Sequence, residues 1–256
     1  MILRRLTTAL RKQDWFTVVI ETLIVVLGVF LGLQVNNWNA ARGQRAAEAG
    51  YLAALESDAV FSIGSLRETL DLMDQAQEAR RALYEYNREG GDAGLPPDDV
   101  NKFMQGAMFN IQRMNVREVA FDALTNSGQL SLIRDAELAS QLQALDAAIE
   151  LARRWESESI NFTYEFSDPY LIAEADTENL IISNLVGTGE NVPWIRGNDA
   201  PALTAEQLKS VRFKNLLLYQ ADISRGRARA TADLMEQYQK VLDLVRARQS
   251  EIGSRP

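Results

Sequence analysis

From Trp15 to Val35 the chain reads WFTVVIETLIVVLGVFLGLQV, apolar almost throughout, with Glu21 as its one ionisable residue. At 1.5 Å rise per residue such a run covers about 30 Å, one hydrocarbon thickness of a bilayer. A core helix of a soluble domain keeps a polar face, and this run has none, so it predicts a single transmembrane helix over 15–38. Trp15 and Trp38 bracket it about 34 Å apart along the helix axis, which sets one indole at each membrane interface. Asn36, Asn37 and Asn39 surround Trp38 where the helix leaves the bilayer, and their amides suit headgroups, water or the end of a neighbouring helix.

Residues 1–14 carry Arg4, Arg5, Arg11 and Lys12 against Asp14, whereas only Arg42 and Arg45 follow the span closely. The positive-inside rule therefore places 1–14 in the cytoplasm and 39–256 on the far side. The apolar run exceeds the h-region of a cleaved signal peptide, and the small-x-small site Ala47-Glu48-Ala49 lies well beyond it. An uncleaved signal anchor is the expectation. Within 1–14, Ile2, Leu3, Leu6, Ala9 and Leu10 share one helical face with the cations largely opposite, the pattern of a helix lying on the inner membrane surface; a frayed basic tail is the alternative.

At 100° per residue, Thr17, Glu21, Gly28, Gly32 and Val35 fall within an arc of about 60°. Gly28 and Gly32 form a G-x-x-x-G pair, which lets another helix's backbone approach closely. A carboxylate within the bilayer is costly and faces protein or water, so its place on the glycine stripe marks a helix-contact face. A protonated Glu21 bonded to the carbonyl one turn back is the alternative reading.

The outer part reads as all-α. The six prolines stand at 96, 97, 169, 193, 201 and 256, leaving long stretches unbroken. Leu52, Leu55, Ala59, Ile63, Leu66, Leu70, Met73 and Leu83 recur at helical spacing, so the span is expected to continue as a stalk helix over 40–88. Glu89-Gly90-Gly91 stops it. Shorter helices are expected over 98–183. Among them, Asn115 and Glu118 form a capping pair, Asp135 caps a longer helix to about residue 158, and a last one breaks near Pro169. Residues 184–203 read as loop. Thr204 with Gln207 makes a capping box opening a long helix over 204–252, in which Leu234, Tyr238, Val241, Val245 and Ile252 form a heptad seam of coiled-coil type. The first and last long helices are expected to pair within a bundle.

Glu21, the run LIVVLGVFLGLQVNNWN from Leu23 to Asn39, and Tyr51-Leu52-Ala53-Ala54-Leu55-Glu56-Ser57-Asp58 together resemble a bacterial family of single-pass inner-membrane proteins, a domain of unknown function. In that family an E–apolar–G–apolar–LQ-x-NNWN block precedes a Y-L-x-x-L-x-x-D helix start. Residues 123–133, ALTNSGQLSLI, are similar to a second patch of the family. The resemblance implies an inner-membrane anchor with a cytoplasmic N-terminus and a periplasmic C-terminal domain, and it carries no activity or catalytic residue.

The chain has neither Cys nor His, which removes disulfides, thiolate nucleophiles, imidazole-based triads and Cys/His zinc sites. A formal charge of −8 speaks against a nucleic-acid partner. The acidic run Glu174–Glu178 lacks the glycine and the bidentate Glu of a calcium loop. Glu156, Glu158, Glu165 and Asp168 are acids with nothing in the sequence to pair them, and Arg225, Arg227 and Arg229 read as a helix surface paired with nearby Asp. No phosphate-binding or nucleophile-elbow motif occurs. The expectation is a non-enzymatic, membrane-anchored interaction protein without cofactor or metal, in contact with the lipid bilayer and with itself or another membrane protein. A ligand-binding sensor is the alternative, with Phe162, Tyr164, Phe166 and Tyr170 as the small-molecule pocket. A stator-like energiser titrating Glu21 is a third.

Overall fold

The computed structural model describes residues 15–89, 97–109, 113–181, 194, 195, 198 and 200–253; the side chains of 15–18, 97, 98 and 109 lie outside that description. The expected surface helix over 1–14 and most of the loop at 184–203 fall outside the described residues. Every regular element among those described is helical, as the proline spacing and apolar periodicity require. The chain divides into two units, Met1–Leu52 and Ala53–Pro256.

The first unit contributes the opening half of α1, Trp15–Arg88, a helix of 74 residues. It is long and apolar enough to cross a membrane, and its most apolar window is wholly unburied. Val19, Leu23, Ile24, Val29, Phe30 and Leu33 are all exposed. Water would penalise that surface heavily, and hydrocarbon would not.

The second unit is a helical bundle. Its elements are the later half of α1; α2, Pro97–Met104, running into a π-helical segment, Gln105–Phe109; α3, Val119–Asn126; a 3-10 turn, Gln129–Leu132; α4, Ala136–Phe162; a second π segment, Thr163–Ser167; α5, Asp168–Glu174; α6, Ala205–Leu208; and α7, Val211–Gly253. From Ala53 on, the segment expected as a stalk belongs to this bundle: Leu55, Ala59, Ile63, Leu66, Met73 and Leu83 are buried there. Glu56 pairs with Arg246 at 2.8 Å, the Gln77 amide donates to the Ala221 carbonyl, and the Asn87 amide donates to the Leu208 carbonyl. The later half of α1 and α7 thus run antiparallel. Gln141 bonds Gln237 and Glu156 pairs with Arg227, so α4 is antiparallel to α7 as well.

Three local expectations change. Asn115 caps nothing: 113–118 is non-helical, and α3 begins after Glu118, whose side chain makes no capping bond. The cap comes from α1, where Asp58 Oδ2 accepts the Ala120 N–H at 2.8 Å and Ser62 Oγ accepts the Arg117 N–H. The capping box at Thr204 and Gln207 forms, but it opens only α6; α7 starts afresh at Val211, with Ser210 Oγ accepting the Phe213 N–H. Pro169 does not break its helix. The ring of a proline collides with the carbonyl four residues back, here Glu165, and the wider winding of the π segment takes up that conflict, so the helical path continues from Ala136 to Glu174.

Asp135 caps α4 as expected, its Oδ1 accepting the N–H groups of Glu137 and Leu138. In the seam of α7, Leu234, Tyr238, Val241 and Val245 are buried, and Ile252 is half-buried.

Candidate functional site

In the first unit, Glu21, Gly28, Gly32 and Val35 are exposed along one stripe of α1, as helical winding dictates. A Cβ added at Gly28 or Gly32 would meet nothing within 4 Å, so the stripe is a shallow, open track. Thr17 and Trp15 belong to the same helix, but their side chains lie outside the described residues. Trp38 is 62% exposed, and Arg42 one turn on places its guanidinium 6.0 Å from the indole centroid. An aromatic anchor with a cation above it suits the headgroup layer. Asn36, Asn37 and Asn39 are exposed beside it.

In the second unit, an open groove of about 720 Å³ runs between the α4–α5 path and α7. Three of the four expected aromatics line it. Phe162 and Phe166 stand one turn apart with centroids at 5.1 Å, and Tyr219 of α7 stacks on Phe162 at 6.3 Å. Tyr170 lies at its edge, nearly buried against Phe213, with the Arg212 guanidinium 5.1 Å over its ring. Burial pushes the Tyr170 phenol up. Tyr164 does not join them: it is 59% exposed and forms no part of the groove wall. Glu158, Glu165 and Arg212 place both signs of charge at the rim.

The α7 wall escaped the sequence reading, although Leu216-Leu217-Leu218-Tyr219 held the signal. Four apolar residues in succession cover more than one helical face, so part of that surface had to lie outside the core stripe. Leu217 is buried, whereas Leu218 and Tyr219 are exposed.

A second, smaller space lies deeper. Arg80 of α1 and Arg227 of α7 are 7% and 4% exposed, and both line a chamber of about 20 Å³. Arg227 is therefore no surface residue, contrary to the reading of its basic triplet; among the described residues it is Arg225 that pairs outward, with Asp222. Arg227 Nη2 meets Glu156 Oε1 at 3.3 Å, and the same oxygen accepts the Met114 N–H. Arg80 donates through Nε to the Ala107 carbonyl and through Nη1 to Gln77 Oε1. Burial, reinforced by Arg227, lowers its pKa to about 10. Both π segments serve this chamber. Met108 and Thr163 form parts of its wall, and Ser167 Oγ accepts from the buried Gln220 amide at 3.0 Å. The first segment fits closely on α1 because residue 106 is glycine: a Cβ there would lie 3.1 Å from that of Ala79.

The acidic run 174–178 is spent within the structure. Glu174 pairs with Arg212, while Asp176 and Glu178 accept from the Asn198 amide.

No family model, curated protein or solved structure matches this chain.

Proposed function

We propose that this protein is a non-enzymatic, single-pass interaction protein of a bacterial inner membrane, whose span packs against a second membrane helix and whose helical domain works in the periplasm. The carrying observation is the open stripe of Glu21, Gly28 and Gly32 on a helix whose most apolar window is unburied. Small residues allow close backbone contact, and a facing polar group from a partner relieves the cost of an intramembrane carboxylate. The excess of cations before the span supports the orientation. The resemblance of residues 21–58 to a bacterial single-pass family supports the placement in the inner membrane.

Native mass spectrometry of the full-length chain, extracted in mild detergent from its host, tests the reading. The expected result is a homo-oligomer or a complex of fixed stoichiometry that Gly28→Ile and Glu21→Leu dissociate. A strictly monomeric wild type without any partner overturns it.

A second reading, a ligand-binding domain, is favoured by the groove. Its volume falls within the range of small-molecule sites, and exposed aromatics at its wall meet charges of both signs at its rim. A metabolite screen by thermal shift on the full-length protein tests it. A hit abolished by Phe166→Ala supports it, and no hit at all removes it.

A further inference from the structure

We propose that the chamber between Arg80 and Arg227 binds one halide-sized monovalent anion. Three observations converge. The first is charge. Two guanidinium groups line the space, close enough that Arg227 disfavours the charge of Arg80, and no carboxylate stands in its wall among the described residues. Glu156 pairs with Arg227, while Arg80 has only a carbonyl and a carboxamide oxygen as partners among the described residues. Among the described residues, the charge of Arg80 has no acid to answer it, and one monovalent anion balances it.

The second is space. About 20 Å³ admits one water-sized body and leaves no room for phosphate or sulfate with its oxygens.

The third is an orphan. Gln220 is 6% exposed, lines the chamber, and its Oε1 is buried with no hydrogen-bond partner. The two ends of a carboxamide are interchangeable in shape. Turned end for end, Gln220 accepts from the Ser167 hydroxyl and presents its N–H₂ to the chamber, where an anion satisfies it. The remaining wall supplies hydroxyls from Ser159, Thr163 and Ser224 as further donors. Two helical segments wound wider than an α-helix border the same small space, as such segments do at binding sites. This inference stands independently of the membrane-span reading.

The test uses the full-length chain in mild detergent, in gluconate buffer of constant ionic strength, titrated with chloride and with bromide. Chloride is expected to raise Tm saturably by about 3 °C or more. It is also expected to show excess ³⁵Cl NMR line broadening that bromide competes away. Arg80→Gln should abolish both effects, whereas Arg81→Gln, at the exposed neighbouring position, should leave them intact. Gln220→Glu supplies the missing negative charge from within. It should raise Tm in halide-free buffer and remove the halide response, which keeps the test decisive if Arg80→Gln fails to fold. A wild type with no saturable halide effect overturns the proposal, with water only in the chamber; so does a Gln220→Glu variant that responds to chloride as the wild type does.

Discussion

Gly226 of α7 passes so close to Trp155 of α4 that a Cβ built on the glycine would lie 2.5 Å from the indole Cζ3. α4 and α7 owe their spacing at this level to one missing methyl group. One residue along each chain, Glu156 and Arg227 form their ion pair. The contact therefore also sets the distance across which the buried guanidinium is held.

Gly226→Ala is expected to destabilise the protein by about 1–3 kcal/mol, the cost of forcing a ring out of a packed position. On helix propensity alone the same substitution would stabilise by up to about 1 kcal/mol. The sign of the change in urea midpoint decides between crowding and propensity. Trp155→Ala should make the alanine at 226 harmless, so the two effects should be far from additive.

Asp58→Ala should cost about 0.5–2 kcal/mol, as for the loss of any N-cap, although here the cap is contributed by another helix. Asp58→Asn retains an acceptor oxygen and should recover most of the loss. Protection of the amide of Ala120 against hydrogen exchange reports the cap directly.

How much of this was legible beforehand depends on whether the cause was local. The long apolar helix, the cap at Asp135, the capping box at Thr204 and the buried positions of α1 follow from residues within a turn or two of each other. Asp58 capping α3 does not: the donor and acceptor are 62 positions apart, and Asn115 offered a local alternative that the fold declines. Pro169 misled for a different reason. A proline in a helix ordinarily ends it, and nothing in the residues around it announces that the preceding turn winds wide instead. Three groove aromatics were visible because they repeat along one helix, at 162, 166 and 170. Their counterparts Arg212 and Tyr219 come from a helix whose approach no spacing rule supplies, and the facing of Arg80 and Arg227 is of the same kind.

Glu118 sets an expected pH dependence. Burial, with Asp122, Asp146 and Glu150 nearby, raises its pKa above the ordinary 4.5 and outweighs Arg153, which lies 2.5 Å away. The folded state therefore keeps a proton that the unfolded chain has already released. Stability contributed by this group is present below 4.5 and is lost as pH rises through the folded value. Denaturant midpoints from about pH 4 to about pH 7 should fall less steeply in Glu118→Gln than in the wild type. An identical slope would remove Glu118 as the cause.

The groove and the core should separate cleanly by mutation. Phe166 and Tyr219 are 55% and 65% exposed, so replacing either by Ala should change stability by about 0.5 kcal/mol or less. Phe213, fully buried beside Tyr170, should cost about 3–5 kcal/mol when cut to Ala. If Tyr219→Ala proves as damaging as Phe213→Ala, the ring belongs to the core and the groove loses its α7 wall.

The wide-wound segment at 163–167 has a consequence for descent. A π turn holds one residue more than the α-helix around it would. Deleting one codon there would restore regular winding and leave the two flanks facing almost as before, because the wide turn spends its extra residue within a single turn of the path. Phe162 and Phe166, then three positions apart, would still share a face, and only the residues within the turn would change their aim. A three-base event is thus enough to gain or lose the wide turn, and with it the wall it gives the chamber, while the bundle around it persists.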